Sequence, residues 1–203
     1  MMKVTGEGIV TAQPDKAIIT LGVITENPNL TLAQSENNEK ITNITNVLVQ
    51  LGVPREQIKT AEFRIEPQYD YVEGKQVFRS YKVTHLLQIT LQQIELIGLV
   101  VDTAVSQGAN FVGNIQFTLS HPEIAYNQAL SLALHDSYRK AVTLTQTLGV
   151  TLCFVPQNVT EITTPTPTPL LYSASQLAKS TPTPIEPGQL QVVARITAEY
   201  CYR

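Results

Sequence analysis

The sequence is poor in charge, in cysteine and in long apolar runs. Only 15% of its 203 residues are charged, and 14 basic against 17 acidic residues leave a net charge of −3. Proteins that bind nucleic acid or anionic lipid usually present a basic surface, so this balance argues against both kinds of partner. No stretch reaches the roughly 18 apolar residues of a membrane-spanning helix. We therefore expect neither a nucleic-acid partner nor a transmembrane segment.

The first residues also lack the apolar core of a secretion signal. Residues 1–8 read MMKVTGEG, without the run of about 7–15 apolar residues that a signal peptide contains. As it stands, the sequence predicts a cytoplasmic location. A periplasmic or other extracytoplasmic location is expected instead if a leader has been removed.

The motifs of common catalytic and cofactor sites are missing. Gly6 and Gly8 resemble the start of a dinucleotide-binding fingerprint, but the third glycine is absent. Close approach of another chain segment is the better interpretation of these glycines. No phosphate-binding loop and no nucleophile elbow occurs. The three histidines His85, His121 and His135 are too scattered to suggest a metal site, and His85 falls in the apolar phase of a predicted strand. We therefore expect no enzyme activity, no cofactor and no metal ion.

The two cysteines, Cys153 and Cys201, are too few for a disulfide framework. One interpretation is a pair of partly buried free thiols. The other is a single disulfide or a redox pair, because both cysteines lie in predicted strands near the C-terminus. The sequence leaves open whether they pair.

Hydrophobic periodicity predicts an α+β fold. Alternating apolar residues indicate strands, and apolar residues at steps of three and four indicate helices that end at Gly52, Gly108 and Gly149. The predicted elements follow the order ββαββαβαββ, which indicates mixed or antiparallel sheets with three helices in two interlocked lobes. We assign residues 1–203 to a single domain. The predicted strands are 3–13, 17–24, 60–72, 77–92, 115–119, 153–162 and 189–202, and the predicted helices are about 29–51, 93–107 and 122–148.

The third predicted helix carries signals at both ends. Pro122 suits a first helical turn, and Ser120 or His121 stands at the position of the cap. Its larger apolar residues predict the face that it buries. These residues are Leu130, Leu134, Tyr138, Ala141 and Leu148.

Aromatic residues flank a predicted hairpin turn at residues 72–75, which read VEGK. They are Tyr69, Tyr71, Phe78 and Tyr81. Exposed aromatic side chains are typical anchors of protein interfaces, so we predict a possible oligomer contact at this hairpin.

A proline-rich stretch separates the last two predicted strands. Residues 163–188 contain six of the 12 prolines, which predicts an extended loop of polyproline-II character. Residues 184–187, which read PIEP, fit the short PxxP pattern that some partner domains recognise. The loop is therefore a second candidate contact, here with another protein.

Together these segments resemble one protein family, the SIMPL-domain proteins of bacteria. The resemblance covers essentially the whole chain, in the right order. It is carried by VTGEG at residues 4–8, QPDKA at 13–17, LGV at 51–53, QIKT at 57–60, IEPQY at 65–69, SYKV at 80–83, GAN at 108–110, IQF at 115–117, KA at 140–141 and LGV at 148–150.

The resemblance implies a mixed α/β protein without an established catalytic activity or cofactor. Members of the family are associated with resistance to oxidative stress, and some resemble subunits of large homo-oligomers. Our leading hypothesis is therefore a non-enzymatic, self-associating protein with a protective or scaffolding role. The alternatives are a partner-binding module that acts through the proline-rich loop, and a thiol-based redox protein that uses Cys153 and Cys201.

Overall fold

The computed structural model describes residues 1–162 and 183–203. Its elements in chain order are β1 (Met2–Ala12), β2 (Lys16–Asn27), α1 (Leu30–Gln50), β3 (Ile58–Val72), β4 (Lys75–Leu91), α2 (Ile97–Ser106), β5 (Phe111–Thr118), α3 (Pro122–Leu148), β6 (Asn158–Ile162) and β7 (Leu190–Tyr200). Single-turn 3₁₀ helices span Arg55–Gln57 and Ile94–Leu96. The predicted α+β class and the order ββαββαβαββ are confirmed.

The chain divides into two compact units, and each contains segments that are distant in the sequence. Among the described residues, the first unit holds 1–14, 118–162 and 188–203, and the second holds 15–117 and 183–187. Each has its own sheet: β1-β7-β6 in the first unit and β3-β4-β2-β5 in the second.

In the first unit, α3 lies against a three-stranded antiparallel sheet. β7 alternates buried and partly exposed residues as predicted, and it pairs with β1 along its whole length. A Cβ atom added at Gly6 would lie 2.0 Å from the carbonyl oxygen of Ala133, and one added at Gly8 would lie 2.0 Å from that of Ala129. The helix backbone therefore rests directly on these glycines, which is the close approach that the sequence predicts.

This close approach corrects the predicted buried face of α3, of which only Ala141 is fully buried as predicted. The residues it buries are small and recur every four positions: Ala125, Ala129, Ala133, Ser137, Ala141 and Thr145. Leu134 and Leu148 are exposed, while Leu130 and Tyr138 pack at the margin of the core. Where Gly6 and Gly8 let the helix backbone approach this closely, only small side chains fit between helix and strand, so the leucines are displaced to the flanks of the helix.

In the second unit, α1 and α2 cover one face of a four-stranded sheet. Asn29 caps α1 by accepting hydrogen bonds from the backbone N–H groups of Thr31 and Leu32, as the predicted start implies. Leu21 on β2 and Ile89 on β4 are fully buried against the Ile44 side of α1. The larger set of buried apolar side chains in this core is Ala17, Ile19, Leu21, Val23, Ile41, Ile44, Leu48, Val53, Leu87, Ile89, Leu91, Ile97, Val100, Val101, Ala104 and Ala109.

A buried amide fixes α1 to the sheet. The side chain of Asn37 is completely buried, and its Nδ2 donates hydrogen bonds to the carbonyl oxygens of Val23 at 3.0 Å and Val83 at 3.2 Å. Thr25 on β2 donates its hydroxyl to the carbonyl oxygen of Ala33 at 2.7 Å. These bonds set the position of α1 along β2 and β4, because buried polar groups are costly unless they are paired.

Candidate functional site

The predicted aromatic hairpin forms a two-stranded ribbon, because β3 and β4 extend beyond the end of the neighbouring strand β2. β2 ends at Asn27, which pairs with Tyr81, whereas β3 and β4 continue beyond this point. We call residues 67–81 the aromatic ribbon. Its two turn residues, Glu73 and Gly74, have φ values of 50° and 77°, which is the backbone of the tight hairpin turn that the sequence predicts.

The aromatic residues of the ribbon share one face. Tyr69 pairs with Phe78 across the strands, and Pro67 pairs with Tyr81. The ring centroids of Tyr69 and Phe78 are 6.0 Å apart and those of Phe78 and Tyr81 are 5.0 Å apart, so the three rings form a contiguous cluster. Tyr71 extends the same face towards the tip.

The aromatic face of the ribbon is a continuation of the core-facing side of the sheet, and it extends beyond the part of that side that α1 covers. Val83, which is buried under α1, pairs with Ile65, and the same phase leads along β3 to Tyr69 and Tyr71. α1 begins only at Leu30 and packs back along β2 and β4, so none of the described helices covers the ribbon. Tyr71 is 76% exposed, Tyr69 44% and Phe78 43%.

Ion pairs brace the base of the ribbon. A bulge leaves Arg79 as the extra residue of β4, as the length of this strand suggests. Its guanidinium lies 3.3 Å from a carboxylate oxygen of Glu26 on β2 and 3.4 Å from one of Asp70 on β3. Ser80 also donates to Glu26 at 3.5 Å. The role of Arg79 was not predicted from the sequence, although its opposite charge across the predicted hairpin from Asp70 is a usable signal.

The two cysteines are joined in a disulfide. Cys153 and Cys201 have a Cα–Cα distance of 5.3 Å and lie 48 positions apart in the sequence. The backbone N–H of Cys153 donates to the carbonyl oxygen of Cys201 at 2.9 Å, and Thr151 and Arg203 exchange hydrogen bonds of 2.7 and 3.0 Å. The segment after α3 is thus paired with the chain beyond β7, so the predicted strand 153–162 is interrupted and β6 begins only at Asn158.

The three histidines occupy separate surroundings. His121 stands at the cap position of α3 without a side-chain cap bond, and its Nδ1 lies 3.0 Å from Glu123. His85 faces the core side of its sheet, and burial lowers the pKa of its imidazole. Within residues 1–162 and 183–203, no group of three or more histidine, cysteine, aspartate or glutamate side chains is placed to hold a metal ion.

Only the end of the predicted proline-rich loop falls among the described residues. Residues 163–182 lie outside them. Residues 183–189 form neither helix nor strand, and Thr183 donates hydrogen bonds from its hydroxyl and its backbone N–H to Asp102 on α2, at 2.6 and 3.1 Å. Both bonds hold the pKa of the Asp102 carboxyl below its usual value. Ile185 packs against the core of the second unit, so one side of the PIEP segment is occupied by the protein itself.

Comparisons with known proteins agree with the resemblance seen in the sequence. The 26 kDa periplasmic immunogenic protein of Brucella melitensis is 29% identical over 178 residues, which cover 85% of this chain and 70% of that protein. The uncharacterized protein YggE of Edwardsiella ictaluri is 26% identical over 149 residues, covering 73% and 62% of the two chains. YggE of Escherichia coli K12 is 23% identical over 137 residues, covering 68% and 56%.

None of the described helices combines the length and the apolar character needed to cross a bilayer. The profile of the SIMPL family, described as a protein of unknown function (DUF541), matches residues 2–200. The chain therefore belongs to the SIMPL family.

Proposed function

We propose that this chain is a non-enzymatic protein that self-associates through the aromatic ribbon and serves a protective or scaffolding role. The observation that carries the proposal is the uncovered aromatic face formed by Tyr69, Tyr71 and Phe78, with the partly buried Tyr81 packed beside Phe78. Apolar side chains that continue a core face beyond its helical cover gain stability when another surface excludes water from them.

A second copy of the chain is the proposed occupant of this face. The ribbon presents its rings on one face, so a second ribbon packed against it in the opposite direction covers these rings with its own. Such a contact is self-complementary, as a two-fold interface requires. The exposed parts of the rings amount to roughly 300 Å² per copy, well under half of the roughly 800 Å² that each partner buries in a typical stable interface. We therefore expect an association that depends on protein concentration.

Light scattering after size-exclusion chromatography tests the proposal. The wild-type protein should elute as a dimer or larger species at micromolar concentration, and the double variant Tyr71→Ser/Phe78→Ser should shift to the monomer mass. Tyr202→Ser is the matched control, because Tyr202 is a tyrosine of comparable exposure in the other unit. A wild-type protein that stays monomeric throughout removes self-association from the proposal.

A role in defence against oxidative stress, in the periplasm, is the setting we propose for this assembly. The basis is the family together with the printed name of the Brucella relatives, which are called periplasmic. Growth of a deletion strain under peroxide, with and without the ribbon variant supplied back, examines this role. Equal survival of the deletion strain and its parent argues against it.

A thiol-based redox role is the second candidate, and the paired sulfurs of Cys153 and Cys201 favour it. In this role the disulfide accepts two electrons and two protons from a dithiol, which becomes oxidised while two thiols form here. Thiol titration after incubation with a reduced dithiol donor measures the exchange. A disulfide that such a donor leaves intact in the folded protein supports a structural bond instead.

Recruitment of a partner through the proline-rich loop remains a prediction. Thr183 contacts Asp102 and Ile185 packs against the core of the second unit. The informative deletion is therefore residues 163–182, which leaves both contacts in place. Loss of a captured partner with an unchanged circular dichroism spectrum supports recruitment, and unchanged capture opposes it.

A further inference from the structure

A groove opens beside α1 on the core-facing side of the four-stranded sheet. Its volume is about 250 Å³, and it lies where α1 packs over β2 and β4 but leaves the edge strand β3 accessible. Ile41 on α1, Ile58 on β3 and Leu87 on β4 form its apolar surface. A cavity of about 150 Å³ lined by apolar side chains is large enough for benzene, so this groove has room for a small ring or a short alkyl chain with a polar head.

One cation faces this groove. Arg55 lies in the 3₁₀ turn between α1 and β3, and it is the only lysine, arginine, aspartate or glutamate among the described residues that line the groove. No described carboxylate forms an ion pair with it, whereas Arg64, Arg79, Arg139 and Arg195 all have such partners. A guanidinium without a counter-ion at a concave site favours an anion with two acceptor oxygens, because its planar fork matches that geometry.

The other polar residues that line the groove are uncharged at neutral pH. Burial lowers the pKa of His85, so its imidazole adds no positive charge there. Its Nδ1 is buried without a hydrogen-bond partner among the described residues, and its Nε2 lies 3.4 Å from the hydroxyl of Thr60. The groove therefore carries a single positive charge, which suits an anion of charge −1.

The hydrogen-bonding groups on α1 complete the site. Thr45 donates its hydroxyl to the carbonyl oxygen of Ile41 at 2.8 Å, so only its lone pairs remain for the groove. The side-chain amide of Asn46 has no hydrogen-bond partner among the described residues, so its N–H groups remain available to an acceptor. Asn46 and Arg55 thus offer donors to an anionic head, while the apolar side chains of the groove contact the body of the ligand.

We propose that this groove binds a small monocarboxylic acid with an apolar body. The carboxylate is held by Arg55 and Asn46, and the body covers Ile41, Ile58 and Leu87. The proposal does not rest on self-association, because no ring of the aromatic ribbon lines the groove. It assigns a ligand class to residues that the family resemblance left without any role.

Calorimetric titration with benzoate, butyrate, acetate and inorganic phosphate tests the ligand class, and benzamide serves as the uncharged analogue of benzoate. We expect benzoate to bind most tightly, acetate more weakly because it has little apolar surface, and benzamide at least about tenfold more weakly than benzoate. The Arg55→Gln variant should weaken benzoate binding by about tenfold or more, which is the effect of losing a charge-assisted hydrogen bond. Arg139→Gln, an exposed arginine of the first unit, should leave binding unchanged.

Three results overturn the proposal. The first is that none of the three carboxylates binds at about 10 mM, a concentration ten times a Kd of 1 mM. The second is benzoate binding that Arg55→Gln does not weaken, and the third is tighter binding of phosphate than of benzoate. Arg55→Lys guards against a folding effect: it keeps the charge, so partial recovery of benzoate binding identifies the charge as the cause.

Discussion

Removal of the disulfide should destabilise the first unit by an amount that follows from the sequence separation of its cysteines. Cys153 and Cys201 lie 48 positions apart, and closing a loop of this length lowers the entropy of the unfolded chain enough to stabilise the fold by about 4 kcal/mol at 25 °C. The paired backbone around the cysteines, including the hydrogen bonds between Thr151 and Arg203, can persist without the sulfur bond. The effect is therefore expected mainly through the unfolded state.

Urea unfolding followed by circular dichroism measures this effect in the Cys153→Ser/Cys201→Ser variant. With an m-value of about 2–3 kcal/mol per M, a loss of 4 kcal/mol lowers the urea midpoint by roughly 1.3–2 M. A reductant should shift the wild-type protein in the same direction and leave the double-serine variant unaffected. Titration of the denatured, unreduced wild type should find no free thiol. A double-serine variant with the wild-type midpoint would refute the reasoning.

Three further predictions concern packing and titration. Gly6→Ala should destabilise the first unit by about 3 kcal/mol or more, since its new methyl group meets the Ala133 carbonyl. Thermal unfolding measures this loss, with Thr5→Ala on the exposed side of the same strand as the control. Equal thermal midpoints of the two variants would contradict the close approach. Asn37→Ala should cost about 2–3 kcal/mol, because it removes the hydrogen bonds of a buried amide to Val23, Thr25 and Val83 and leaves a void. A loss no greater than that of an exposed alanine substitution would count against it. For His85, burial lowers the pKa of the imidazole in the folded protein, so below pH 6.5 the unfolded chain binds the proton more readily and the free energy of unfolding falls as the pH is lowered. The urea midpoints at pH 7.5 and 5.5 should therefore differ less in His85→Gln than in the wild type. An equal difference would exclude this histidine as the cause.

Much of the fold follows from local patterns. The alternation along β7, the glycine stops of the helices and the turn of the hairpin each depend on neighbouring residues, and each is predicted close to its observed place. The position of the aromatic residues beside a hairpin turn is also predicted, because the turn residues and the flanking strands are local in sequence, whereas Phe78 and Tyr81 share a face only through the bulge at Arg79.

Other features depend on which segments meet in space. The buried face of α3 is mispredicted because its partner strand presents Gly6 and Gly8, and a rule that ranks residues by hydrophobicity favours leucine over alanine. Pairing of the cysteines depends on the register between the chain after α3 and the chain after β7, which periodicity does not supply. Arg55 is a lone arginine in a loop of the sequence, and only the position of α1 over the sheet makes it part of a groove.

The central claim is that a second copy of the chain covers the aromatic ribbon, and amide hydrogen exchange at several protein concentrations tests it most directly. If the claim holds, peptides spanning residues 67–81 gain protection as the concentration rises from nanomolar to tens of micromolar, while peptides from the exposed side of α3 keep the same exchange rate. Assembly that leaves the exchange of residues 67–81 unchanged would contradict the account.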